Sequence, residues 1–309
     1  MDLSVIIVSM NVRQMLSDCL DSVYACLSPS SLQYDVWVVD NASTDDSVPM
    51  VRQRHPQVRL LANECNRGFA AANNQALAQS TGQVCILLNP DTLVLDDALL
   101  VLTEFINATS RAGIAAPRLV YGDGSFQHSA FHFPSLAQVA LDFFPLHHRL
   151  LDSRLNGRYP RRTYDNGRPF AIDHPLGACM AVPRAALDQV GPLDEQYFMY
   201  CEEVDWAWRM HRDGWGVFCV PAARIVHLGA QSTRQFRNEM FVALWRSRFL
   251  FFRKYYGAVF CRAVGALVRA GLRAEAGRAR QAQSQGKLTA DQLAARQAAL
   301  EEVRALSDA

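Results

Sequence analysis

The sequence predicts an α/β fold with a mostly parallel central sheet. Two observations carry that expectation. Apolar, β-branched runs of strand length alternate with amphipathic helical segments through the first 110 residues, the pattern of strands joined by helical crossovers. Each strand-like run also ends in polar residues, and open α/β sheets bind their ligands outside the carboxyl ends of the strands.

The elements follow in order. "LSVIIVS" is a continuous apolar run of buried-strand length. After it, Leu16, Cys19, Leu20, Val23 and Leu27 fall on one helix face. "YDVWVVD" reads as the next strand, and "NASTDDS" as turn chemistry with Ser43 or Ser47 as the helix cap. "VRLLA" is a short strand, "GFAAANNQALAQS" a helix, "QVCILL" a strand and residues 96–110 a helix. Residues 121–172 then lack clear periodicity; irregular segments of that length usually carry function. Regularity resumes in "GACMAVPRAALDQVG", a strand and a helix with Pro183 near the helix start and Gly191 past its end. "CEEVDWAWRMHRDG" has acids in its first turn, bases in its last and Gly214 to close it, as the helix dipole favours. "WGVFCV" and "ARIVHLG" read as two more strands.

From Asn238 the pattern is helical. Residues 1–240 are expected to form the α/β domain and 241–309 a helical C-terminal extension. Between Val242 and Arg273 seven basic residues, among them Arg246, Arg248, Arg253, Arg262 and Arg269, interleave with Trp245, Phe249, Phe251, Phe252, Tyr255 and Phe260, without an acid. Such a stretch either lies in a membrane interface or packs its aromatics on the core with its arginines in water. Farther on, Leu293, Leu300, Val303 and Leu306 make one narrow stripe that fits an appendage or a homo-oligomer contact.

Composition narrows the function. The chain has 309 residues, half of them hydrophobic, and a formal charge of +1, which gives no bias toward nucleic acid. Its eight cysteines form no Cys-x-x-Cys pair, so buried free thiols are expected rather than a zinc ribbon. "MDLSVIIVSMN" lacks the features of a signal peptide, and no window is apolar enough for a membrane span. A cytoplasmic protein, at most lying on a membrane surface, is expected. The G-x-G-x-x-G and G-x-x-x-x-G-K-[ST] motifs are both missing, which disfavours dehydrogenases and P-loop enzymes.

Three groups of residues could carry chemistry. Asp91, in "LLNPDT", stands just past a buried strand, where a carboxylate can hold Mg²⁺ or Mn²⁺ or simply serve the turn. His227 follows another apolar strand; imidazole beside carboxylate suits Mn²⁺ better than Mg²⁺. Glu202, Glu203 and Asp205 crowd a helix start, where acids favour the dipole but where one of two adjacent carboxylates can also face a substrate as general base.

The stretches "SVIIVSMN", "VVDNASTDDS", "NRGFAAANNQAL", "LLNPDT", "GACMAVPRAAL", "GPLDEQYFMYCEEVDWAWR" and "HLGAQS", in that order over residues 3 to 256, resemble glycosyltransferase family 2 with the GT-A fold. More narrowly they look like its bacterial rhamnosyltransferase-like branch. The resemblance implies that Ser9, Asn11, Asp40 and Asn41 hold the base and ribose of a nucleotide sugar, and that Arg67, Gly68 and Asn73 close over it. It implies that Asp91 and His227 are metal ligands and that Gly177 and Ala178 line the donor sugar. It makes Glu203 the catalytic base, with Glu202 as its acidic neighbour. The sequence departs from the family at Asn89, where the metal motif has its first Asp, and at Glu203, where Asp is common.

The expected protein is therefore an inverting glycosyltransferase. Its donor would be dTDP-rhamnose or a UDP-sugar, its cofactor Mn²⁺ or Mg²⁺, and its acceptor a hydroxyl of a cell-surface polysaccharide or lipid-linked glycan. The alternative is a catalytically silent nucleotide-sugar-binding or scaffold protein, which Asn89 favours. A sugar nucleotidyltransferase would want a glycine-rich loop that "SMNVRQML" lacks.

Overall fold

The computed structural model describes residues 1–144, 152–229 and 237–308. They divide into two compact units, one of residues 1–132, 159–198 and 202–229, the other of 133–144, 152–158, 199–201 and 237–308.

The first unit holds all the strands among the described residues: β1 (Leu3–Ser9), β2 (Tyr34–Asp40), β3 (Arg59–Ala62), β4 (Val84–Leu88), β5 (Thr92–Val94), β6 (Ala112–Val120), β7 (Phe126–Gln127), β8 (Ala130–Phe131), β9 (Phe170–Ala171), β10 (His174–Pro175), β11 (Cys179–Pro183) and β12 (Gly216–His227). Helices, numbered along the whole chain, are α1 (Arg13–Leu27), α2 (Ser47–Arg54), α3 (Phe69–Leu77), α4 (Ala98–Ala108), α5 (Leu136–Phe143), α6 (Arg161–Asp165), α7 (Arg184–Val190), α8 (Glu202–Arg212), α9 (Arg237–Tyr255), α10 (Ala258–Ser284) and α11 (Ala290–Asp308).

The main sheet runs β3-β2-β1-β4-β11-β6-β12-β5. The expected parallel sheet is present: β3, β2, β1 and β4 are parallel throughout, in the register Ser9↔Asp40, Asp40↔Ala62 and Ile7↔Leu88. Strand β11 then enters antiparallel to β4, with Cys179 opposite Leu88. β1, β2, β4 and β11 are buried almost throughout, as continuous apolar strands between helical layers must be. The predicted face of α1 is the buried one.

Several elements differ from the expectation. β12 is one strand where two were predicted; its register slips between Val220 and Arg224, where Pro221 offers no N–H to the ladder. β5 and β6 were not predicted. β5 is three residues long and β6 carries Pro117, and both features hide a strand from periodicity. Neither Ser43 nor Ser47 caps α2: Asp46 is at the cap without a side-chain bond, and the Ser43 hydroxyl accepts from Asn11 N at 2.9 Å. All eight cysteines are free, and Cys19, Cys26, Cys85, Cys179, Cys201 and Cys219 are buried, as expected. Ala230, Gln231 and Ser232 of "HLGAQS" lie outside the described residues.

The second unit is helical, with an aromatic core. On α9, Val242, Trp245, Phe249 and Phe252 share one face and are buried. Phe143 of α5 stacks on Trp245 with ring centres 5.1 Å apart. α5 begins at a capping box in which the Ser135 hydroxyl and the Gln138 amide oxygen accept each other's backbone N–H. Gly271 of α10 is required by this core: a Cβ there would lie 2.1 Å from the Phe143 ring. No helix among the described residues is long and apolar enough to cross a membrane.

The two glycines of α10 predict opposite signs. Gly277→Ala has open space around the new methyl and should stabilise by about 0.5–1 kcal/mol through helix propensity. Gly271→Ala should destabilise by about 1–3 kcal/mol, as overpacking of a tight core does. Urea melts of the two variants would show the ordering; equal midpoints would mean that Phe143 yields freely.

Candidate active site

The parallel register brings the carboxyl ends of β1, β2 and β4 to one edge of the sheet. Ser9 closes β1 and is buried, and its hydroxyl has no hydrogen-bond partner among the described residues. Asp40 closes β2; its Oδ1 accepts from Ser43 N at 2.9 Å, while its buried Oδ2 has no partner among the described residues. Asn89 follows β4, and its side-chain oxygen is likewise buried and unpartnered. Each such orphan costs about 1–3 kcal/mol unless something polar arrives to satisfy it. Three of them on adjacent strand ends mark a place built for a polar ligand.

The asparagines predicted to touch that ligand do other work in this structure. Asn11 sits in the left-handed region at φ 52°, and its side-chain oxygen accepts from Thr44 N at 2.7 Å and Asp45 N at 3.3 Å. Asn41 accepts from Arg67 N at 3.0 Å and Asn63 Nδ2 at 3.2 Å, and donates to Asn66 Oδ1 at 2.7 Å. Both side chains build the loops of the rim. Asn73 is buried on α3 and donates to Phe69 O at 2.9 Å, and Arg67 is exposed. Gly68, at φ +82°, lies so close to Phe198 that a Cβ would sit 2.5 Å from that carbonyl oxygen. Phe69 N donates to the same oxygen at 2.8 Å. The Arg67–Gly68 loop is thereby tied to the segment that leads into α8.

Antiparallel β11 brings the remaining residues to the same edge. Asn89 N donates to Ala178 O at 2.9 Å, and Gly177, the next residue back, packs directly on Glu203. A Cβ on Gly177 would lie 3.6 Å from the Cβ and Cγ of Glu203. Glu202 is 6% exposed, and burial first, the neighbouring Glu203 charge second, push its carboxyl well above the ordinary range. Glu203 is half-buried, less enclosed than its neighbour. The third, Asp205, is fully buried and receives Arg209 Nε at 2.7 Å, an ion pair within the helix. Trp206 is core and donates to Gly191 O at 2.9 Å.

Pairing of β12 with β5 sets His227 opposite Thr92, beside Asp91. His227 Nε2 stands 3.6 Å from Asp91 Oδ1, and both residues are buried. Burial raises the Asp91 carboxyl above its usual range and lowers His227 below its own, each opposed by the other's charge. Sequence reading missed the third member, Gln127. Its side-chain amide lies against His227 Nδ1, the nitrogen at 3.1 Å and the oxygen at 3.3 Å. With the amide oxygen accepting, the imidazole proton stays on Nδ1 and the Nε2 lone pair faces the carboxylate. Two acceptors that close need a cation between them, either a proton or a metal ion. A neutral imidazole and a carboxylate are the donor set a divalent ion takes. Two ligand atoms on one ion, each bonded at roughly 2 Å, lie within about 4 Å of each other, so the spacing fits. Among the described residues no cluster of three His, Cys, Asp or Glu side chains could hold an ion alone, so further ligands would come from Asn89, water or substrate.

The chain matches the family model "Glycosyl transferase family 2" over residues 4–191. It belongs to that family. It is 31% identical over 236 residues to the N-acetylglucosaminyl-diphospho-decaprenol L-rhamnosyltransferase of Mycobacterium tuberculosis, covering 70% of this chain and 73% of that protein. It is 23% identical over 256 residues to the low-salt glycan biosynthesis hexosyltransferase Agl10 of Haloferax volcanii, covering 81% and 75%. Among solved structures, the mannosyltransferase PcManGT from Pyrobaculum calidifontis in complex with GDP-Man and Mn²⁺ superimposes with a TM-score of 0.58 at 19% identity, over 99% of this chain and 86% of that one. That likeness shows the GT-A fold. The chain is thus a family 2 glycosyltransferase, similar to rhamnosyltransferases of glycan synthesis.

Gln127 makes a measurable difference if it fixes the imidazole. Gln127→Leu should weaken Mn²⁺ binding by about 10–100-fold, the usual effect of losing such support, and Gln127→Glu, which still accepts from Nδ1–H, should retain it. The free Mn²⁺ signal in electron paramagnetic resonance reads this without turnover; unchanged affinity in the leucine variant would remove Gln127 from the site.

Proposed function

We propose that this protein is an inverting glycosyltransferase that moves a sugar, rhamnose first, from a dTDP- or UDP-sugar to an acceptor hydroxyl in cell-surface polysaccharide or lipid-linked glycan synthesis. The observation that carries the reading is the contact of Glu203 with Gly177, in the β11 segment whose Ala178 carbonyl takes the N–H of Asn89. This arrangement supports Glu203 as general base near the turn that would hold the metal, though the two are more than a hundred residues apart in sequence.

Supporting the donor side are the orphaned polar atoms of Ser9, Asp40 and Asn89, which a pyrimidine, a ribose or a diphosphate can satisfy. Arg67, Gly68 and Asn73 belong to the loop and helix start that would close over the nucleotide, with Asn11 and Asn41 shaping the rim. Asp91 and His227 would hold Mn²⁺ or Mg²⁺, whose positive charge offsets the charge that builds on the leaving diphosphate. Gly177 and Ala178, bare backbone beside Glu203, would let the donor sugar approach closely. Glu203 takes the proton from the acceptor hydroxyl as its oxygen bonds to the anomeric carbon, on the face opposite the leaving group. Burial first and the adjacent Glu203 charge second raise the Glu202 carboxyl above its ordinary range, which disfavours two charges side by side.

The donor sugar rests on similarity to the mycobacterial L-rhamnosyltransferase, whose name also points to a lipid-diphosphate acceptor. Such an acceptor would bring the enzyme to the inner face of the plasma membrane. Residues 121–172 would shape the acceptor side. The helical part from residue 241 would serve as an appendage; Leu300 and Val303 of the α11 stripe are buried within it, so that stripe packs inside the unit and is not free for a homo-oligomer contact. A second reading, a silent nucleotide-sugar binder or scaffold, has one observation in its favour: Asn89 stands where the family's metal motif has an acid.

Glu203→Gln should lower transfer by about 10²–10⁴ while nucleotide affinity stays nearly constant. A variant turning over at the normal rate would dismiss Glu203 as base. A thermal-shift panel of dTDP- and UDP-sugars with and without Mn²⁺ identifies the donor by the stabilisation that binding confers. Asp91→Ala should abolish the Mn²⁺-dependent part of that shift, and a shift insensitive to both would argue for a metal-free site. Binding without hydrolysis or transfer in the wild type would favour the silent reading.

A further inference from the structure

The basic stretch that could have lain on a membrane is tied in part within the second unit. Arg246 pairs with Glu302 at 2.7 Å, Arg248 with Asp142, and Arg253 donates to Leu306 O at 2.6 Å. The aromatics between them are buried. A further group of cations stands on the shared face of α10 and α11.

There a cavity of about 280 Å³ is walled by Arg269, Arg273, Arg280 and Arg304, with Leu272, Ala276 and Leu300 as its apolar part. The three α10 arginines are spaced by four and seven residues, one helix face, and like charges so placed repel. Arg269 is held by Asp308 at 3.1 Å and Ser307 O at 3.2 Å. Arg273, Arg280 and Arg304 are exposed and make no ion pair among the described residues. Acids nearby are already taken: Glu275 by Arg278 and Arg296, Glu302 by Arg246. Glu301 is the one carboxylate on the wall.

We propose that this cavity is a binding site for the phosphate headgroup of an anionic membrane lipid. Three unneutralised guanidinium groups around one hollow offer the forked donors that phosphate oxygens take, and the leucines and alanine give an amphiphile's glycerol and upper chains an apolar wall. An extended nucleic acid fits poorly, because the whole chain carries a formal charge of only +1. The site goes beyond the transfer reading and is separate from it, since its test reads binding and not turnover.

The full chain should sediment with phosphatidylcholine vesicles containing about a third phosphatidylglycerol, and not with phosphatidylcholine alone. Replacing Arg273, Arg280 and Arg304 together by Gln should lower the partition coefficient on the order of a hundredfold. The same loss of charge at three exposed arginines away from the cavity, Arg52, Arg168 and Arg262, should lower it far less. Arg280→Glu alone, at an exposed position that leaves the fold intact, should also reduce binding, by tenfold or more. Equal loss in both triple variants, or no vesicle binding by the wild type, overturns the proposal. So does calorimetric binding of free pyrophosphate at the cavity without vesicle binding, which would make it a site for soluble anions.

Discussion

The antiparallel run of β11 beside β4 is the constraint on which the candidate site depends. Four parallel strands alone would give a polar edge, with Ser9, Asp40 and Asn89 at the carboxyl ends. Because β11 runs the other way, it is its amino end that reaches that edge, and Ala178 accepts from Asn89 N there. Gly177 then offers a surface without a side chain, and Glu203 packs on it. A methyl at 177 would meet Glu203 at ordinary contact distance, about 3.6 Å, so it is the closeness of strand and side chain that counts. A backbone hydrogen bond and this approach link the turn after β4 to the helix that starts 113 residues later.

The fold was legible wherever one element carried a full period of its pattern. The buried strands β1, β2 and β4 and the stripe of α1 announce themselves because burial on both faces, or on one helix face, leaves a long apolar signature. β5, three residues long, and β6, interrupted by Pro117, carry too little pattern to register; their strand state comes from pairing with β12. The single β12 was split in the reading by Pro221, which breaks the ladder locally while the sheet carries the chain through. In the second unit the sequence showed seven cations without an acid between Val242 and Arg273. It could not show Asp142 or Glu302 folding back to meet Arg248 and Arg246, since those partners lie outside any local window.

The site was legible as a set of residue types, and less so as a set of roles. Asp91 and His227 approach each other as the resemblance implied, and Gln127 completes the group unannounced, from a two-residue strand with no motif around it. Asn11 and Asn41 look like ligand contacts on a list of polar strand ends. Their side-chain oxygens, and the Nδ2 of Asn41, are engaged with Thr44, Asp45, Asn63, Asn66 and Arg67, so both residues hold loops in shape whatever else they touch. Local hydrogen bonding of this kind cannot be told from ligand binding by residue type, because the same donors and acceptors serve both.

Backbone conformation adds a further layer at α8. Tyr200 and Cys201, immediately before Glu202, both lie in the left-handed region, at φ 70° and 65°. Neither is glycine, and two such residues in succession cost about 1–3 kcal/mol each. That cost persists only if the surroundings hold the turn. Phe198 is one anchor, since its carbonyl receives Phe69 N. The ion pair of buried Asp205 with half-buried Arg209, and Arg209 donating to Val190 O at 2.9 Å and Pro192 O at 2.8 Å, fix the helix on the other side of the turn. A relaxed turn would swing the start of α8 and move Glu203 off Gly177. The strain and the bonds opposing it therefore act on the same coordinate, the distance from Glu203 to the strand end, and a change at Phe198 or Arg209 reaches the candidate base through it.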